Sequence, residues 1–172
     1  EIFNLIFPEF ANLKRLDRLK KILKSFKINL NVLLAILLID KDNNHEYFCH
    51  KYNVSNDIKD DLNLLAKNLK LLQNKKDFFT KDIEKHIYLN DKSHLINLNI
   101  LNFASNSEYS FKNFSEAMKN ILKSKTHKFH IDRKYLMNKG MSEGVLLGKV
   151  LRKIEKEWME NNFKISDNRV QE

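Results

Sequence analysis

All three glycines of this 172-residue chain fall within one nine-residue stretch, Gly140-Met141-Ser142-Glu143-Gly144-Val145-Leu146-Leu147-Gly148, and the whole chain has a single proline. Hairpins, bulges and tight turns draw on glycine and proline, so a chain this poor in both has little material for sheets and defaults to helix. The G-x3-G-x3-G spacing opens the longest amphipathic pattern, which runs to Trp158. Gly140 suits the left-handed end of a short helix, where a missing Cβ removes the steric cost. Ser142 is the expected N-cap of the next helix, with Glu143 at the positive end of its dipole. Gly144 and Gly148 then fall inside that helix, one turn apart on one face. Each costs about 1 kcal/mol of helix propensity relative to alanine, so close approach of another backbone is the expected return. That backbone is either a packed neighbouring helix or a nucleic acid.

The rest of the pattern is also helical. A hydrophobic fraction of 42% with 10% aromatics supports a real core and argues against disorder. Ile2, Phe3, Ile6 and Phe7 read as a helix end stopped by Pro8. Leu13, Leu16, Leu19, Ile22, Leu23 and Phe26 recur at helical spacing with lysines opposite. Residues 28–40 read as a buried helix and 46–51 as a short one. Ser55 caps a long helix to about Leu72, Thr80 one through Ile87, and Lys92 or Ser93 begins one through Phe103. Residues 110–123 are amphipathic through Phe111, Phe114, Met118 and Leu122, and Asp132 caps the short helix that Gly140 ends. The last helix puts Leu147, Val150, Leu151, Ile154 and Trp158 on its core stripe, with Lys149, Arg152, Lys153 and Lys156 beside it. The expected architecture is all-α, a multi-helix body over 1–108 and a C-terminal helical tail over 109–172.

Formal net charge is +9. Lys14, Arg15, Arg18, Lys20, Lys21, Lys24 and Lys27 form one basic segment. Lys119, Lys123, Lys125, Lys128, Arg133, Lys134 and Lys139 form another, with His127 and His130 among them. Two basic segments on a helical scaffold suit a polyanion, nucleic acid before membrane, against the plain alternative of a solvated lysine face. The longest apolar run, Val32 to Ile39, is far short of the roughly 20 residues needed to cross a bilayer, and no signal peptide is visible. Cys49 has no partner for a disulfide within the chain, which suits a reducing cytoplasm. The sequence opens at Glu1 inside an apolar pattern and reads as part of a longer protein.

Catalytic constellations are not evident. Asp40-Lys41-Asp42 has the D-x-D spacing of a two-metal nucleotidyl-transfer site, but it follows a run of helix length and has no small-residue turn before it to cradle a triphosphate. It reads as a helix end with two solvated acids. His45, Cys49 and His50 could supply half a metal site but lack a second ligand pair. No catalytic triad can be argued from spacing. No catalytic or metal-ligating residue is therefore assigned.

Phe129 to Phe163 resembles the C-terminal signature of bacterial class II tRNA nucleotidyltransferases, the family of CCA-adding enzymes and poly(A) polymerases. Leu136, Gly140, Gly144, Gly148, Leu151, Trp158 and Phe163 match it, whereas Arg133 and Tyr135 stand where the family has glycine and aspartate. Leu5-Ile6-Phe7-Pro8-Glu9-Phe10 similarly resembles the L-P-E-[LF] element that follows the family's nucleotide-selecting neck. The resemblance implies the helical body and tail that grip the acceptor and TΨC arm of tRNA. It implies too that Mg2+ and ATP or CTP belong to a catalytic head absent from this chain, which could be separately encoded, and that the chain alone is inactive in nucleotide addition. Recognition of A-form RNA rests on shape and phosphates, so the expected contacts are Lys128, Arg133, Lys134, Lys149, Arg152 and Lys153, with Gly144 and Gly148 allowing close approach. Two other readings stand beside this one. A DNA-binding helix-turn-helix could be made from 132–139 and 143–161, although its reading helix would open on Glu, Gly, Val, Leu, Leu and Gly where polar base-reading residues belong. The other is a non-catalytic scaffold.

Overall fold

The computed structural model describes residues 6–23, 25–75 and 77–165. Among them the protein is all-α, with nine helices and no strand. They are α1 Arg15–Leu19, α2 Leu30–Leu38, α3 Asn44–Lys51, α4 Asn56–Asn74, α5 Ile83–Asn90, α6 Lys92–Ser105, α7 Phe111–Lys123, α8 Arg133–Asn138 and α9 Val145–Glu160. No helix among these residues is long and apolar enough to cross a membrane. The chain divides into two compact units, Glu1–Ser124 and Lys125–Glu172. The boundary expected at 108/109 thus moves to 124/125. Phe114, Ala117, Met118 and Ile121 of α7 are buried in the core of the first unit, so α7 belongs to the body.

The first unit is built round α6, which packs on α1, α2, α4, α5 and α7. Nine of its residues are buried, from His94 through Ala104, and they cover every side of the helix. That is the mark of a central helix rather than a surface one. Asp91 starts α6: its side chain accepts from the His94 amide at 2.8 Å and from Ser93 Oγ at 2.8 Å. Phe103 of α6 meets Phe114 of α7 with ring centroids 4.9 Å apart, and Phe26 closes edge-on against Phe114 at 5.5 Å. On α2, Asn29 caps the helix by accepting from the Val32 amide at 2.9 Å, and Val32, Ala35, Ile36 and Leu38 are buried. Cys49 on α3 is buried in the same core, and burial pushes its thiol pKa up. Of the LPEF-like element, Leu5 lies outside the described residues, as do Ile2 and Phe3 of the helix end expected before Pro8. Glu9 is buried and accepts from Lys51 Nζ at 3.3 Å.

Three local expectations are corrected. The helix expected over 13–26 shrinks to the five residues of α1, followed by turns. Thr80 does not cap α5; its hydroxyl donates to the Asp77 carbonyl at 3.1 Å, and the helix starts after Asp82, which is left-handed at φ +55°. Ser142 does not cap α9 either, because that helix begins after Gly144.

In the second unit, α8 and α9 pack together. Leu136, Leu147 and Ile154 form their core, with Phe129, Ile131, Val150 and Leu151 half-buried against it. Asp132 caps α8, accepting from the Tyr135 amide at 2.8 Å. Gly140, at φ +98°, ends it. The Gly140 amide donates to Met137 O at 2.9 Å and the Met141 amide to Leu136 O at 3.1 Å. These two bonds, with Met141 packed against the cluster of Leu136, Leu147 and Ile154, have the pattern of a Schellman closure that satisfies the last carbonyls of the helix.

Candidate nucleic-acid interface

The first basic segment turns partly inward. Arg15 Nη1 donates to the carbonyls of Ile36 at 3.0 Å and Ile39 at 2.6 Å, at the C-terminal end of α2. Arg18 donates through Nε to Phe103 O at 2.7 Å, through Nη1 to Ser107 O at 3.3 Å and through Nη2 to Tyr109 O at 2.7 Å. Its guanidinium also lies 4.7 Å from the Phe103 ring centre. A helix leaves its last four carbonyls without partners inside the helix, and a guanidinium carries five donors in a rigid fork. Each arginine thus closes the end of a core helix. Lys92 does the same for α7, donating to Leu122 O at 3.2 Å and Ser124 O at 2.8 Å. Lys20 of this segment is paired on the surface with Asp17 at 2.8 Å, and Lys24 is not among the described residues. The segment is therefore not a continuous free cationic surface.

The second unit differs. Over residues 125–165 it has ten lysines and arginines against five carboxylates. Lys128, Arg133, Lys134, Lys149, Arg152 and Lys153 are all exposed. None of the six takes part in a hydrogen bond or ion pair among the described residues. Lys149, Arg152 and Lys153 share one solvent face of α9, since positions i, i+3 and i+4 are neighbours on a helix. Lys156 extends that face and reaches Glu160 at 3.8 Å, an exposed and weak contact. Arg133 and Lys134 occupy the first turn of α8, the positive end of its dipole, where cations disfavour the helix rather than stabilise it. Lys128 precedes α8 in the non-helical stretch 125–131. In that stretch His127 stacks on Phe163 at 3.8 Å, and Phe129 meets Trp158 of α9 at 5.1 Å.

The glycines need a correction. Gly144 is not inside a helix; it precedes α9 at φ +150°, a conformation that side chains rarely adopt. Gly148 is inside α9, but a Cβ built there meets nothing within 4 Å, and the same holds at Gly140 and Gly144. No packed neighbour among the described residues explains Gly148. Beside it, Val145 and Leu146 are 80% and 68% exposed. The start of α9 is consequently smooth, apolar and open, with the cationic face beginning at Lys149.

Asp40 belongs to a turn. Its Oδ1 accepts from the amides of Asp42 at 3.0 Å and Asn44 at 3.2 Å, and its other oxygen takes the Asn44 side-chain amide. His45 and Cys49 are buried on α3. Among the described residues no three His, Cys, Asp or Glu side chains converge to hold a metal ion.

Fold and surface together define an all-helical protein whose C-terminal unit presents unpaired cations to solvent. Comparisons with protein-family models, curated proteins and solved structures return no match for the chain.

Proposed function

We propose that this chain is the RNA-gripping helical part of a tRNA nucleotidyltransferase. In this reading it holds the acceptor and TΨC arm of cytoplasmic tRNA while a catalytic head, carried elsewhere, supplies the Mg2+ site and adds nucleotides from ATP or CTP. One observation supports it above the others. The side chains of Lys128, Arg133, Lys134, Lys149, Arg152 and Lys153 make no hydrogen bond or ion pair among the described residues, whereas Arg15, Arg18 and Lys92 in the first unit are bound to carbonyls. Free cations on one helix face meet phosphates without breaking any existing bond. Open space at Gly148 lets a sugar-phosphate backbone come close to α9. Such a surface reads A-form shape and charge and carries little base information.

Binding of tRNA is expected to weaken steeply with salt, because each neutralised phosphate releases condensed counterions. A site with six contacts loses on the order of 10³-fold in affinity between 50 and 200 mM salt. Charge alone produces part of that slope, so fluorescence-anisotropy titrations need competitors of equal phosphate count. Folded tRNA is expected to outcompete single-stranded RNA and duplex DNA. Replacing Arg133, Lys134 and Arg152 together with alanine is expected to weaken binding and flatten the slope while leaving the helical circular dichroism intact. Equal affinity for tRNA and duplex DNA would favour the helix-turn-helix reading, and no binding to either at low salt would leave a scaffold.

A further inference from the structure

The central helix α6 buries three polar side chains, His94, Asn99 and Asn102. Two of them are satisfied. His94 Nε2 lies 2.9 Å from Asn68 Nδ2. Asn99 donates to Phe114 O at 3.1 Å and accepts from the Tyr109 hydroxyl at 2.9 Å. Burial, helped by the nearby Glu116 charge, raises the Tyr109 pKa, so the phenol stays a donor. Asn102 is different. It is only 4% exposed, yet its carboxamide makes no hydrogen bond among the described residues. Its amide atoms are not sealed off in the core but open onto the cleft beside α6, where a ligand or water can meet them.

Asn102 lines a cleft of about 520 Å³ lying wholly within the first unit, between the end of α4, Lys75, Phe79 and Thr80, α6 and α7. That volume is in the usual range for a small-molecule site, roughly 300–1,000 Å³. Leu72, Phe79 and Ala117 give it apolar walls, and its charged rim is Glu108 and Glu116 against Lys75. In a chain of net charge +9 this is an acidic locality. The rim disfavours anions. A carboxamide presents a donor and an acceptor side by side, so an ammonium or a carboxylate satisfies only half of it. The small-molecule group that satisfies both is a planar edge with an adjacent donor and acceptor, and adenine's N6–N7 edge is the known bidentate partner of asparagine. Carboxylates on the rim are the groups that accept from ribose hydroxyls.

We propose that this cleft is a nucleoside site, with Asn102 reading an adenine edge, Leu72 and Phe79 flanking the base, and Glu108 and Glu116 facing the ribose. The ligand is an uncharged nucleoside rather than a nucleotide, since two carboxylates against one ammonium repel a phosphate. The site is independent of the RNA grip, which lies in the other unit.

The test is a titration of the full chain with adenosine, AMP and inosine, followed by calorimetry and by the side-chain amide resonances of asparagine. Adenosine is expected to bind saturably and shift the Asn102 amide pair. Inosine, which replaces the amino donor with an oxygen, is expected to bind roughly tenfold or more weakly, and AMP more weakly than adenosine. Asn102→Leu is expected to weaken adenosine by a similar factor. Should that buried substitution unfold the protein, the exposed charge reversals Glu108→Lys and Glu116→Lys decide: together they are expected to invert the preference between adenosine and AMP. Absence of saturable adenosine binding at millimolar concentration overturns the proposal. So does equal binding of inosine, or a preference that charge reversal leaves unmoved. A short oligoribonucleotide with an unpaired adenine that shifts the same resonances more strongly than adenosine overturns the free-nucleoside assignment.

Discussion

With no glycine before Gly140, the first unit makes its left-handed turns from asparagine and aspartate. Asn43, Asn53 and Asp82 sit at φ between +47° and +57°. Their short polar side chains bond locally and tolerate that region better than other non-glycine residues. In the second unit the glycines do separate jobs, so their substitution is expected to act in opposite directions. Gly140→Ala places a Cβ in a left-handed position and is expected to lower stability by roughly 1–2 kcal/mol. Gly148→Ala adds a Cβ into open space within α9 and is expected to raise it by about 1 kcal/mol. Thermal melts followed by circular dichroism at 222 nm check both signs. If α9 grips RNA as proposed, Gly148→Leu keeps the melting temperature and loses tRNA affinity. Retention of affinity would argue that no backbone comes near that face.

At the scale of elements, α1 is the instructive case. Its five residues are too few to be stable by propensity; Leu19 and Ile22 in the core hold the segment, along with arginines bonded to the ends of α2 and α6. Arg18→Met keeps the aliphatic stem and removes three donors to carbonyls. It is expected to cost on the order of 3 kcal/mol, seen as a lower urea midpoint, with tRNA affinity unchanged. Arg18→Lys is expected to recover little, because one ammonium does not reproduce the planar fork. The same segment shows where the sequence stops being readable. Hydrophobic period locates α4, α6, α7, α8 and α9, and Asp132 caps α8 by the bond its position implies, whereas Ser55 makes no capping bond on α4 and Ser142 lies outside α9. Those are local signals, carried within four residues. The carbonyl partners of Arg15 and Arg18 lie 21 to 91 residues away, so the Leu13–Phe26 periodicity could not separate a continuous helix from a short one locked by its arginines. The exposed face of α9 was legible for the opposite reason, since its sidedness follows from helical spacing alone. Asn102 left a signal that was passed over: an asparagine inside the apolar run Leu98–Ala104, on a helix buried on every side.

At the scale of the molecule, the two units have separate cores. The larger draws on residues from Leu19 to Ile121, and the smaller is built round Leu136, Leu147 and Ile154. A chain ending at Ser124 is therefore expected to unfold cooperatively with the urea midpoint of the first unit in the full protein, and to lose most tRNA affinity. A truncated chain that binds tRNA as tightly as the full one would place the grip in the body and overturn the assignment to α9. The partition also gives the protein a built-in clock. Cys49 is its only thiol, buried in the larger core with burial holding it in the unreactive protonated form. A thiol reagent can modify the native chain only when the first unit opens, so the labelling rate times that opening with no engineered probe. Because the smaller unit has no thiol to add to the signal, the same rate measured with and without RNA reports directly whether occupancy of one unit is felt by the other.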